Sequence, residues 1–157
     1  EILGSAFKEG RQIAGGDGPG DVENAVLGLI TKQLVLPLRT EVSRTVGTGL
    51  EAQDTATAIA ERVSDVFRVW KGVRTEMLAE GLVHAAFHQG QIDAWRNQGS
   101  TQKKWILDQE RDCPKDVCKS NAEAGFLAVD SAFPSGHMAP PAHGGCTCTL
   151  TGSNSIA

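Results

Sequence analysis

Apolar residues recur at helical spacing over most of the first hundred positions, and then the period changes. Behind Asp21, the residues Val22, Ala25, Val26, Leu29 and Ile30 return to one face at each turn, so Asp21 reads as a helix N-cap. Pro37 interrupts this stripe, and Leu38, Val42 and Val46 continue it. A proline inside a helix removes a backbone donor and crowds the preceding turn, so the helix is expected to kink or restart there. Gly47-Thr48-Gly49 reads as its end. Asp54 or Thr55 then caps a second helix whose stripe is Ile59, Val63, Val66, Phe67, Trp70, Val73 and Met77. The pattern runs on through Leu82, Ala85, Phe87 and Ile92 to Trp95, a length that predicts a bend near Gly72, Gly81 or Gly90. Two antiparallel helices joined at Gly47 to Gly49 cover both stripes most simply.

Ahead of the hairpin, Ile2, Leu3, Ala6, Phe7 and Ile13 make residues 1–14 a short amphipathic segment or an arm that docks on a partner. The run Gly15-Gly16-Asp17-Gly18-Pro19-Gly20 sustains neither helix nor strand and reads as a linker. After Gly99, Trp105-Ile106-Leu107 and Gly125 to Val129 read as short strands. Cys146-Thr147-Cys148-Thr149-Leu150-Thr151 alternates strictly, which predicts a strand with Cys146, Cys148 and Leu150 on one face. The expected fold class is α+β: an arm and Gly-rich linker over 1–20, a long helical hairpin over 21–98, and a small antiparallel β-rich knob over 99–157.

Composition narrows the function classes. A chain of 157 residues with no tyrosine and three tryptophans favours long, thin helices over a thick core. A net charge of -4, with acids interleaved among the lysines and arginines, argues against a dedicated nucleic-acid binder. No run of eighteen or more apolar residues and no secretion leader occurs, so the chain reads as soluble, with no membrane partner. It opens on Glu1 in place of methionine, which points to a piece of a longer polypeptide.

The candidate chemistry is concentrated in the last third. All four cysteines lie there, as Cys113 with Cys118 and Cys146 with Cys148, and His143 stands beside the second pair. Two close cysteine pairs around a Pro/Gly-rich loop staple a small fold either through a metal or through disulfides, with free thiols the remaining alternative. As a zinc site, Cys113, Cys118, His143, Cys146 and Cys148 are the candidate ligands, one more than a tetrahedral ion takes. Phe133-Pro134-Ser135-Gly136 and Pro140-Pro141 read as a rigid loop that sets the approach of His143. His84 and His88 have the spacing of a zinc-protease helix, but Ala85 stands where the general base would be, so they read as packing or surface histidines. A zinc deaminase needs a His-x-Glu ahead of a Pro-Cys-x-x-Cys, and neither is present. Arg74, Glu76 and Glu80 read as helix-surface pairs, and Trp70, Trp95 and Trp105 as core anchors. No nucleophile with a base and an orienting group is apparent, so no catalytic residue is assigned.

The order Cys113, Cys118, Asn121, Ala124-Gly125, Phe133-Pro134-Ser135-Gly136-His137, Pro140-Pro141-Ala142-His143 and Cys146-Thr147-Cys148 resembles the C-terminal region of the phage head morphogenesis family, the minor head proteins of Mu F type. Val69-Trp70-Lys71 with Arg74, and Gly90 leading into Trp105, resemble that family's helical lead-in, so the resemblance spans about residues 66–150. Two features differ. The family's usual His-Pro-x-Cys-Arg-Cys is here His143-Gly144-Gly145-Cys146-Thr147-Cys148, and its usual Cys-x-x-Cys is here two residues wider. The resemblance implies a non-enzymatic structural or assembly protein of a tailed-phage head, at or near the portal vertex. Its implied partners are portal and capsid proteins in a multi-subunit assembly, with packaged DNA a further contact for some members. It implies residence in the virion head after synthesis in the bacterial cytoplasm, a reducing compartment that favours structural zinc over disulfides. Domains of this type are also found joined to enzymes, so a metal-dependent hydrolase or toxin-like effector is the alternative class. A free-standing zinc-stapled binding module is a third.

Overall fold

The computed structural model describes residues 1–18, 20–110, 113 and 115–153, without the side chains of 73–77. The surface pairing expected of Arg74 and Glu76 therefore lies outside the described residues. The chain is α+β, with helices α1 (Ile2–Ile13), α2 (Val22–Ile30), α3 (Leu36–Glu51), α4 (Ala56–Val69), α5 (Thr75–Asn97) and α6 (Asp116–Glu123), and strands β1 (Gln102–Ile106), β2 (Phe126–Ala128) and β3 (Thr149–Ser153).

The first limb of the hairpin starts where Asp21 Oδ1 accepts the Asn24 N–H at 3.4 Å. A π-helical turn, Thr31–Val35, joins α2 to α3 and stands directly before Pro37. Pro37 has no N–H to give and its ring crowds the turn behind it, and the wider π turn absorbs both effects without ending the limb. Contrary to expectation, α3 does not stop at Gly47-Thr48-Gly49 but runs to Glu51. Gly49 is a contact glycine: a Cβ there would come within 2.6 Å of Ile59 Cγ1, so its bare backbone lets α3 and α4 approach. The reversal falls at Ala52 to Asp54, with Gln53 at φ 57 and the Asp54 N–H donating to Gly49 O at 2.9 Å. Thr55 Oγ1 caps α4 by accepting the Ala58 N–H at 3.2 Å. A second π-helical turn, Trp70–Arg74, places the long limb's irregularity at Gly72, one of the positions expected to bend.

Of the two expectations for residues 1–14, the amphipathic segment holds and the arm docked on a partner does not. These residues form α1, which lies on α5 with Phe7 buried against it. A Cβ on Gly10 would overlap the Phe87 carbonyl, and one on Gly90 would overlap the Phe7 carbonyl, so the two backbones meet at reciprocal glycines. Arg11 locks this contact through an ion pair with Asp93, and its Nη2 donates to Asp17 O at 2.7 Å, folding the Gly-rich segment back on the helix.

The sheet is antiparallel in the order β2-β1-β3. In the central strand Lys103 and Trp105 point to the buried face. Trp105 meets Phe133 edge-on at 5.1 Å, and α5 contributes Ile92 and Trp95 to the same core, so the knob packs on the helical limb. Gly152 lies flat on Trp95, whose indole a Cβ would meet at 2.5 Å. Trp70, Trp95 and Trp105 are all buried, as core anchors should be. Among the described residues no helix is long and apolar enough to cross a membrane.

Candidate metal centre

Three pieces of chain bring the sulfurs together. Cys118 and Asn121 are three apart on α6 and share its buried face. Cys113 precedes that helix, and Cys146 and Cys148 precede β3. The strand expected over Cys146 to Thr151 instead begins at Thr149, because its partner β1 ends at Ile106, which pairs with Thr149. Strand alternation therefore does not orient Cys146 and Cys148. The predicted convergence nevertheless holds, since Cys113, Cys118 and Cys148 form one close group and Cys118, His143 and Cys146 another, with Cys118 common to both.

One donor pair already has the spacing of ligands on a tetrahedral ion. Cys118 Sγ and Cys146 Sγ are 3.8 Å apart. Two thiolates bound to one zinc at about 2.3 Å with a tetrahedral angle stand about 3.8 Å apart. A disulfide requires about 2.05 Å, and all four cysteines are free. Cys113 Sγ lies 3.2 Å from His143 Nε2. His143 Nδ1 donates to the Gly144 carbonyl at 2.8 Å, which puts the ring's proton on Nδ1 and leaves the Nε2 lone pair facing the Cys113 sulfur. All four sulfurs are buried, and burial pushes the Cys118 thiol well up, with hydrogen bonds from Cys113 and the proximity of Cys146 adding to it. A bound dication reverses that preference and draws out the protons. The five donors proposed from the sequence thus lie together and could bind a metal.

The loop beside the centre is pinned by Asn121. Its Nδ2 donates to Ser135 Oγ at 2.9 Å and its Oδ1 accepts the Ser135 N–H at 3.1 Å. Ser135 Oγ also lies 2.9 Å from His137 Nδ1, but within a turn closed by the Phe133 N–H and the His137 carbonyl at 2.9 Å, so this contact shapes the loop. A cleft of about 510 Å³ runs between the loop and the helices with His137 and His143 on its wall.

Lys103 and the pair His84 and His88 gain an importance that the sequence pattern alone did not give them. Lys103 is fully buried, donates from Nζ to the Met138 carbonyl at 2.8 Å, and stands 5.3 Å from the Phe133 ring centroid. Burial, then Arg96, lowers its pKa to about 8, against a smaller opposing pull from Asp130. His84 and His88 face the backbone of the Cys146 to Cys148 segment, and burial lowers the pKa of both, His88 to about 4. Their i, i+4 spacing was the available signal; their contact with the cysteine segment was not readable from it. In comparisons with protein-family models, with curated proteins and with solved structures, nothing matches this chain.

Proposed function

We propose that this chain is an assembly component of a tailed-phage head, acting by contact at or near the portal vertex, with its knob held by one structural zinc ion. The observation that carries the metal part is the convergence of four buried sulfurs and one oriented imidazole in two close groups that share Cys118, the donor types of a structural site. The head part rests on the resemblance of residues 66–150 to the minor head proteins. It is supported by an elongated hairpin that leaves Leu27, Val35, Leu36, Leu50, Phe67 and Val69 exposed, apolar surface suited to contact with neighbouring subunits. Portal and capsid proteins are the partners in this reading, the virion head is its location, and no turnover is assigned to it.

The test has two arms. Protein purified without chelator should contain close to one zinc per chain, and infected-cell lysates should show the chain sedimenting with portal rings or heads. Deleting residues 99–157 should lower its incorporation and the yield of infectious particles. Normal particles and infectivity without the segment would overturn the assembly reading, as would substrate hydrolysis that depends on the cysteines or histidines.

A further inference from the structure

We infer that His84 and His88 form a second metal site, a bis-imidazole chelate for a divalent first-row transition ion, distinct from the thiolate cluster and independent of whether that cluster holds zinc. The two residues stand one turn apart on α5, and their Nε2 atoms are 2.9 Å from each other. Two nitrogens each about 2.05 Å from one ion stand about 2.9 Å apart at a right angle and about 3.3 Å apart at the tetrahedral angle. The nitrogens therefore already have the separation of a chelate, and the rings need to turn by a few tens of degrees to bring both lone pairs onto one ion. Imidazole nitrogens of this kind suit zinc, nickel and copper.

The second observation is the orientation of the inner ring. His88 is fully buried, and its Nδ1 lies 2.6 Å from Gln91 Oε1. An amide oxygen only accepts, so the proton of His88 is on Nδ1 and its Nε2 lone pair points at His84. An outer acceptor that fixes the tautomer of a ligating histidine is the usual support of a metal site. In the metal-free protein His84 Nε2 donates its proton to that lone pair. When an ion enters, His84 gives up the Nε2 proton and takes one from solvent at Nδ1, so the exchange is balanced and both Nε2 lone pairs are released to the metal. His84 stands on the wall of a cleft of about 540 Å³ whose other lining includes Glu9, Glu80 and Phe87. Glu9 and Glu80 in its lining favour a cation on the His84 side.

Zinc ion is the probe. Titration of metal-free protein followed by calorimetry should show a tight equivalent and a second, weaker one. Long-range proton–nitrogen spectra of the imidazoles should show the Nε2 signals of His84 and His88 shifting together with the second. His84→Asn should weaken that second binding by roughly tenfold or more while leaving the tight equivalent and the fold in place. Imidazole signals that stay put through several equivalents would overturn the proposal. So would a second equivalent retained in His84→Asn, or loss of both equivalents in that variant, which would make the pair a support of the thiolate cluster. If the tight equivalent is missing from the wild type, the thiolate reading fails while the ring shifts still decide this one.

Discussion

Cys118 is the donor shared by both close groups of the candidate centre, and its buried thiol resists ionisation unless a cation is present. Cys118→Ser should therefore cut zinc content from near one equivalent to below about a tenth, read by metal analysis of chelator-free protein. Near-stoichiometric zinc in the variant would exclude Cys118 as a ligand. His88 makes a separate prediction. Its pKa falls from 6.5 to about 4, through burial first and the nearby His84, against the raising effect of Gln91 and the Cys148 backbone. Between those values the unfolded chain binds a proton that the folded chain refuses. The contribution of His88 is thus complete above pH 6.5 and is lost as the pH falls toward 4, by roughly 3 kcal/mol. Urea midpoints at pH 7 and pH 4.5, at fixed metal content, should fall less for His88→Gln than for wild type; equal falls would refute the assignment. Lys103 shows why such positions were hard to read. Lys103 and Lys104 are adjacent cations in a strand, and only the pairing of β1 decides which is buried with Trp105.

The elements that were legible are the ones whose causes are local. Asp21 and Thr55 cap helices because their side chains reach N–H groups three residues on; Asp21 stands where the pattern placed it, and Thr55 is one of the two residues the pattern offered for α4. Glycines were read less well, since a glycine that stops a helix and one that admits a neighbouring helix look alike in sequence. Gly49 belongs to the second kind, and so do Gly10 and Gly90, which clasp the amphipathic segment of α1 on α5. Gly90→Ala would drive a methyl into the Phe7 backbone, where no rotamer change relieves the overlap. It should cost roughly 3 kcal/mol and free α1, seen as a lower melting temperature and new proteolytic cleavage within residues 1–20. An unchanged melting temperature and cleavage pattern would show that α1 does not depend on the close approach. The third strand was misplaced at its start for a similar reason: alternation marks where a strand is possible, while the length of β1 decides where pairing begins.

At the scale of the whole molecule, the hairpin and the knob have different sources of stability. The hairpin is built from paired helices, α3 against α4 and α1 against α5, whose contacts involve none of the cysteines. The knob has a three-stranded sheet and a short helix, and four of the buried residues at its core are the cysteines themselves. Without an ion those sulfurs add little apolar area, whereas zinc binding in small stapled folds contributes on the order of 10 kcal/mol. Metal removal should therefore act unevenly. A strong chelator should shift the emission of Trp105 to the red as its cover against Phe133 opens, and abolish amide protection over β1 and β3, while most of the helical circular dichroism from α1 to α5 persists. Readdition of one equivalent of zinc should restore both signals. If chelator leaves the emission and the protection of β1 unchanged, the knob is held by packing on Ile92 and Trp95 alone, and the cysteines serve its core as ordinary buried thiols.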